Sequence, residues 1–367
     1  MADKANPTDA RRIHGLDVAR ALAICGMVLV HLSMVMSGNV ADSVPGGWFV
    51  NRLAGRPAMM FMLLAGIGIS LRLSSADDLD RIAEIRRDLQ RRGIFFLVFG
   101  YVFLTLWSDD ILRVYGIGFL LASLLLTKAD RWLWACTGIT AIGIVGLLFV
   151  IDFETNWDFT TFEYSNLWTL SGGAMHLFYN GTRAVFPWVG ILFVGMLVGR
   201  RNLQDARVRR RLLITGLIVW GVAEFVSHEL IDRAAQHVDE SEREDIAVIF
   251  GTDSFPSLPF FLLSGGGLSL AIILSCVEIT ERLRPALWQP LAMAGRMAFT
   301  WYVGHIVLLV GAGILVDSKE FAPMFESYLA TLTFCVAMIL ASWGYLRRFR
   351  FGPLEWLLRT TTATRPH

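Results

Sequence analysis

Two histidines lie inside runs apolar enough to be membrane helix: His31 closes Ala21-Leu-Ala-Ile-Cys-Gly-Met-Val-Leu-Val-His31, and His305 closes Phe299-Thr-Trp-Tyr-Val-Gly-His305. An ionisable side chain at bilayer depth is costly, so it faces a bundle interior or a wet cavity and marks a functional path. Imidazole titrates near neutral pH and can take a proton and give it back. These positions therefore offer general base catalysis, or proton handling during transport.

Arginines stand at suggestive distances from both. Arg20, in Leu16-Asp-Val-Ala-Arg20, precedes His31 by eleven residues. That is close to three helical turns, so the two share a face about 16 Å apart along the axis. A fixed cation at the inner rim with a proton acceptor deeper on the same face suits a long anionic ligand entering from the cytoplasm. The plainer reading is a local Asp17–Arg20 ion pair and a His31 hydrogen bond to a neighbouring helix. Arg296 precedes His305 by nine residues, about 180° around a regular helix. These two meet one pocket only if the helix is irregular, and Gly295, Gly304 or Pro290 can supply that. Tyr302 and Trp301 share the His305 side, whose plainer role is an interhelical hydrogen bond.

Arg56 opens the second apolar run from outside, at the depth His31 approaches, where it either orients an acceptor or snorkels to head groups. Phe186-Pro-Trp188 begins another run that ends Gly199-Arg200-Arg201. Arg200 and Arg201 read as topology determinants or as phosphate ligands. Tyr115 and Glu224 are further polar residues at membrane depth, read as structural.

The elements that must position these residues follow from composition. The chain has 367 residues, 54% hydrophobic and 18% charged, with mean hydropathy +0.53. Repeated spans of roughly 17–25 apolar residues account for this. About ten are expected, at 16–37, 54–73, 92–108, 112–127, 132–151, 184–200, 211–228, 257–277, 291–316 and 325–346. Basic residues at Arg11/Arg12, Arg81–Arg92, Lys128/Arg131, Arg200–Arg211, Arg282/Arg284 and Arg347–Arg350 alternate with acidic loops at Asp109/Asp110, Asp152–Glu163, Glu229–Asp253 and Asp317–Glu320. The positive-inside rule then puts both termini in the cytoplasm. The fold class is an all-α polytopic membrane bundle: one domain over 1–350 and a cytoplasmic amphipathic tail over 351–367.

The balance of 33 Lys+Arg against 32 Asp+Glu gives no reason to expect a nucleic-acid partner. Cys25, Cys136, Cys276 and Cys335 all fall in apolar runs and read as core or lipid-facing thiols, so no metal is implied. No cleavable leader is expected, because the first apolar run is long enough to span. The loop at 152–183, with Trp157, Phe159, Phe162, Tyr164, Trp168 and Phe178, suggests a re-entrant or lid-like segment at the membrane surface. The loop at 228–256 is expected to hold a short surface helix. Gly265-Gly-Gly invites close approach of a helix or ligand. Asn180-Gly-Thr matches a glycosylation sequon, a motif too short to weigh much. The tail Arg348-Phe-Arg-Phe-Gly-Pro-Leu-Glu-Trp-Leu-Leu-Arg359 reads as an amphipathic anchor to anionic lipid, or as a lid over a cytoplasmic nucleotide site.

Taken in order, several segments resemble the bacterial heparan-α-glucosaminide N-acetyltransferase-like membrane proteins. They are Leu16-Asp-Val-Ala-Arg-Ala-Leu-Ala with Gly26-Met-Val-Leu-Val-His31, Gly55-Arg with Leu64-Ala-Gly-Ile-Gly, Phe186-Pro-Trp with Gly199-Arg, Gly295-Arg-Met-Ala-Phe-Thr-Trp-Tyr, and Phe351-Gly-Pro-Leu-Glu-Trp-Leu-Leu-Arg. The resemblance implies an acyltransferase of the bacterial cytoplasmic membrane. Its acyl donor would be acetyl-CoA or another short acyl-CoA at the cytoplasmic face. The acceptor would be a hydroxyl or amine, on a sugar or glycoconjugate, at the other face. It also implies a catalytic membrane histidine. The chain departs from the lysosomal enzymes in carrying His31 where their first span has asparagine, and His176 is the nearest candidate for their outer-loop histidine.

On this reading His31 and His305 are catalytic, and Arg20, Arg296 and Arg200 bind the CoA phosphates. Arg56, Tyr302 and Trp188 hold the acceptor. The implied partners are membrane lipids and the small-molecule or sugar acceptor, and a homodimer is left open. The rival readings are a proton-coupled transporter or flippase, disfavoured by the lack of an inverted repeat, and a non-catalytic assembly factor.

Overall fold

The computed structural model describes residues 12–37, 45–315 and 323–363. Arg11 and the acidic run Asp317–Glu320, both used to orient the chain, lie outside the described residues. The helices are α1 (His14–Ser37), α2 (Gly47–Leu53), α3 (Arg56–Leu73), α4 (Leu79–Phe103), α5 (Leu112–Leu125) and α6 (Asp130–Leu148). After a two-strand hairpin, β1 (Trp157–Asp158) and β2 (Glu163–Tyr164), come α7 (Leu170–Met175), a π-turn at His176–Asn180, α8 (Val185–Gly199), α9 (Ala206–Ala235) and α10 (Glu240–Phe250). The chain continues as α11 (Pro259–Arg282), α12 (Pro285–Arg296), α13 (Ala298–Leu315), α14 (Met324–Leu346) and α15 (Pro353–Thr362).

A helix occupies each of the ten expected spans. Six among the described residues are long and apolar enough to cross a membrane, or eight if the bent pairs α7–α8 and α12–α13 each count as one span. The difference from ten is α4 and α5. The first half of α4 is charged, and α5 has 14 residues, about 21 Å of helix. The chain is a helical integral membrane protein.

At the centre α3 packs on α1, α8 and α11, and α1 packs also on α11, α12 and α14. By contrast α6, α9 and α14 each bury only 17% of their apolar window inside the protein, which leaves apolar faces suited to lipid or to another apolar surface. Small residues make the central contacts. On Gly195 of α8 an added Cβ would run into the Leu63 carbonyl of α3, on Gly199 into that of Ile67, and on Gly66 into that of Leu192. The spacing Gly195-x-x-x-Gly199 is the pattern that lets backbones approach in a membrane. Gly265-Gly-Gly meets its expectation: Gly267 abuts the Gly216 carbonyl of α9, and Gly265 the sulfur of Met59.

The outer loops are also structured. Trp157 packs on Phe159, Phe162 and Tyr164 of its own hairpin and on Phe255 from the second loop. The expected surface helix in 228–256 is α10, while α9 runs on to Ala235.

Candidate active site

The helix carrying His305 breaks where irregularity was needed. Met297 leaves helical geometry (φ −106°, ψ 26°), and α12 and α13 meet at a 69° bend. The bend turns α13 so that His305 faces α1. There His31 Nδ1 and His305 Nε2 lie 3.0 Å apart, with ring centroids 5.2 Å apart and planes 12° from parallel. Both residues are buried, 6% and 1% exposed.

The hydrogen bonds fix the proton positions for neutral rings. His305 Nδ1 is 3.0 Å from the Trp301 carbonyl, and a carbonyl only accepts, so Nδ1 carries the proton. His305 Nε2 then accepts, and His31 Nδ1–H donates to it. The lone pair of His31 Nε2 is left free, with no hydrogen-bond partner among the described residues. A base whose far nitrogen is held by a second group is the logic of an oriented catalytic histidine.

His31 lines a small cavity of about 20 Å³, with Gly55, Pro57, Asp109, Arg183 and Tyr302. That is about the room one water needs. Trp107 lies against the His31 ring at 4.9 Å, and its indole N–H is buried without a hydrogen-bond partner among the described residues, as is Asp109 Oδ1. Arg183 reaches the other oxygen of Asp109 at 3.3 Å. A second cavity, about 170 Å³, runs from Arg20 past Leu64, Phe96 and Phe299 to Ile111 and Tyr302. Ile111 and Tyr302 line both cavities, so they form the partition between an Arg20-ended tube and the His31 pocket. Tyr302 is fixed there by donating to Asp110 Oδ1 at 3.1 Å.

Behind Asp110 lies a buried chain of charge. The Arg113 amide donates to Asp110 Oδ2 (3.3 Å), and its guanidinium donates to His176 Nδ1 (3.2 Å). His176 is 1% exposed, is capped by Tyr164 at 4.6 Å, and its Nε2 has no partner among the described residues. It is therefore tied to the partition through Arg113 rather than set beside His31.

The expected site residues separate into two groups. His31, His305, Tyr302 and Arg20 are brought to one axis, although Arg20 also pairs with Asp17 at 2.6 Å. Arg296 ends α12 and donates to the Arg350 carbonyl at 3.3 Å. Arg200 pairs with Asp130 at 2.7 Å, beside Arg201 on the same carboxylate, and lines neither cavity. Trp188 is fully buried, donates to Ser257 at 3.0 Å, and supports Arg183, whose guanidinium carbon is 4.9 Å from its ring. Arg56 turns away from the pocket that its neighbours Gly55 and Pro57 line. It donates to Glu224 at 3.1 Å and Ser264 at 3.0 Å, joining α3 to α9 and α11. Sequence reading did not single out Arg183, Trp107 or Arg113, and used Asp109 and Asp110 only for topology. An acidic pair in a very short loop between two spans was the available signal.

The Arg56–Glu224 pair gives a stability test. Arg56 has 5% of its side chain exposed and Glu224 26%. Glu224→Gln leaves a buried guanidinium without its counter-charge, and the expected cost is about 3 kcal/mol. Thermal unfolding in detergent checks it. A midpoint within a degree of wild type would mean that the pair does not hold α3 to α9.

A helical integral membrane protein with an oriented imidazole pair, one ring of which lines a small buried cavity, is a candidate membrane enzyme. Residues 12–231, more than half of the chain, match the family model for the catalytic domain of heparan-alpha-glucosaminide N-acetyltransferase, and the chain belongs to that family. Residues 199–365 match a protein family of unknown function, DUF418. The chain is 24% identical over 420 aligned residues to the uncharacterized protein YxaH of Bacillus subtilis (strain 168), covering 96% of this chain and 94% of that one. It is 25% identical to an uncharacterized 39.9 kDa protein from the amylase 3′ region of Bacillus acidopullulyticus, with the same coverage.

Proposed function

We propose that this protein is an acyl-CoA-dependent acyltransferase of a bacterial cytoplasmic membrane. It moves an acetyl or other short acyl group to a hydroxyl or amine acceptor, such as a sugar, presented at the outer face. Ten spans with both termini inside fit this reading, since they put the Arg20 end of the larger cavity on the cytoplasmic side. The observation that carries it is the free Nε2 lone pair of His31, held by His305 and separated only by Ile111 and Tyr302 from a tube with an arginine at its far end. The family supports acetyl-CoA as donor.

The thioester arm enters past Arg20 and displaces the Tyr302 partition. The acceptor enters from the Asp109–Arg183 side. His31 Nε2 takes the acceptor proton as its oxygen or nitrogen attacks the thioester carbonyl. The C–S bond then breaks, and the departing thiolate receives that proton from His31. Trp107 N–H, unpartnered beside His31, is a donor for the carbonyl oxygen as negative charge develops. Arg20 with Arg296 serves the CoA phosphates at the mouth. Arg200, tied to Asp130, serves the fold of the inner rim in this scheme, and Trp188 acts through Arg183.

The test is release of CoA thiol by purified protein in liposomes supplied with acetyl-CoA, with a panel of amino sugars and hydroxyl sugars. Thiol release that depends on acceptor supports the reading. Wild-type protein that neither binds CoA nor releases it with any acceptor, yet moves solute down an imposed pH gradient, would replace it with transport.

A further inference from the structure

Past the Arg20 end of the larger cavity the protein gathers more positive charge than it neutralises. Arg92 stands one helical turn before the cavity residue Phe96 on α4, hence on the same face. Its electrostatic neighbours are Arg72 from the end of α3, Arg359 from α15, and the carboxylate of Asp88. Asp88 is buried and ion-paired with Arg72. The Nε atoms of Arg92 and Arg86 are buried without hydrogen-bond partners among the described residues. On the tail, the guanidinium carbons of Arg350 and Arg359 lie 5.3 and 4.1 Å from the ring centre of Phe351. Burial holds Arg359 below its ordinary value, and Arg350 and Arg72 push the same way while Asp88 opposes them. Arg72, Arg92 and Arg359 thus share one carboxylate, Asp88, and Arg350 adds its charge beside Arg359.

The tail is fastened in this position. Glu355 accepts from the Phe299 amide (2.8 Å), the Thr300 amide (3.1 Å) and the Thr300 hydroxyl (2.6 Å). These are first-turn groups of α13, so a tail carboxylate caps the helix that carries His305. Further along, Arg91 of α4 donates to the Ala363 carbonyl at 3.1 Å. Helix α15 therefore bridges from α13 to α4, and Phe299 is itself a wall of the cavity.

A buried guanidinium with an unmet Nε–H, as at Arg92, beside further arginines favours an anion to complete it. Several planar forks at one place suit phosphate oxygens. We propose that α15 is a wall of the donor site, and that Arg72, Arg92, Arg350 and Arg359 form a polyphosphate cradle for the nucleotide end of the acyl donor. This rests on the acyl-CoA reading above, and it gives the tail a binding role rather than one of lipid anchoring alone.

The experiment is calorimetric binding of CoA to full-length protein in nanodiscs, at two salt concentrations, for wild type, Arg359→Ala, Arg350→Ala and Arg359→Lys. Each alanine variant is expected to weaken binding about tenfold at low salt, the loss of one charge-assisted contact. Each should also flatten the salt dependence of the affinity. Arg359→Lys should recover only part of the affinity, since a point charge replaces the fork. Alanine variants that melt like wild type and bind CoA within twofold overturn the cradle while leaving the acyl-donor reading intact. Weaker binding with unchanged salt dependence also overturns it, since that is what a merely structural tail would produce. Wild-type protein that fails to bind CoA removes the donor reading and the cradle with it.

Discussion

Alanine at His31 is expected to lower acyl transfer by about 10²–10⁴-fold, the usual worth of a positioned general base, with CoA binding close to wild type. The separation of effects follows from position. His31 lines the small cavity with Asp109 and Arg183 and is absent from the walls of the tube that begins at Arg20. Removing the imidazole therefore takes away the proton acceptor without touching the mouth. Alanine at His305 should cost less, about 10–100-fold, because the base survives but loses the acceptor that holds its Nδ1–H. A His31 variant that retains acceptor-dependent thiol release within threefold would end the assignment. A His305 variant as inactive as His31→Ala would instead mean that the pair acts as one unit.

Leucine at Gly195 is expected to cost the most stability. An added Cβ there meets the Leu63 carbonyl, backbone atoms of α3 that cannot rotate aside, and Gly66 presents the reciprocal problem toward Leu192. Overpacking typically costs roughly 1–3 kcal/mol, and a backbone contact between two central helices belongs at or beyond the top of that range. Separating α3 from α8 would also shift Pro57 and Ala58, which line the His31 pocket. The expected result is loss of monodisperse protein on size exclusion, or a melting temperature many degrees lower. Leucine at Gly138 of α6 is the control. Nothing lies within 4 Å of a Cβ there, so removing a helix glycine should be neutral or gain up to about 1 kcal/mol. Equal stability of the two variants would show that the α3–α8 contact is not built on small residues.

These two sites differ in how legible they were. Gly195-x-x-x-Gly199 and Gly66-x-Gly68 are visible in the chain, but only the packed structure shows which glycines face a backbone and which, like Gly138, face open space. Imidazole at bilayer depth was readable at His31 and His305 because hydrophobic context makes an ionisable residue conspicuous. Their 3.0 Å pairing was not, since 274 residues separate them and the spacing of either on its own helix says nothing about the other. The same holds for arginines. Arg20, Arg56, Arg200 and Arg296 each carried a ligand-binding reading beside a structural one. Carboxylates distant in sequence decide between them: Glu224 takes Arg56, and Asp130 takes Arg200.

By itself the chain determined a helical membrane protein, the places where helices run, and the two buried imidazoles, because each of these depends on local composition against the cost of desolvation. Tertiary structure alone decided that α12 and α13 bend at Met297, that the two rings meet with one lone pair left over, and that Tyr302 divides two cavities. It also decided that the tail is fastened to α13 through Glu355 and to α4 through Arg91. Those outcomes depend on which polar groups satisfy one another across helices, and that matching is set by packing rather than by any stretch of neighbouring residues.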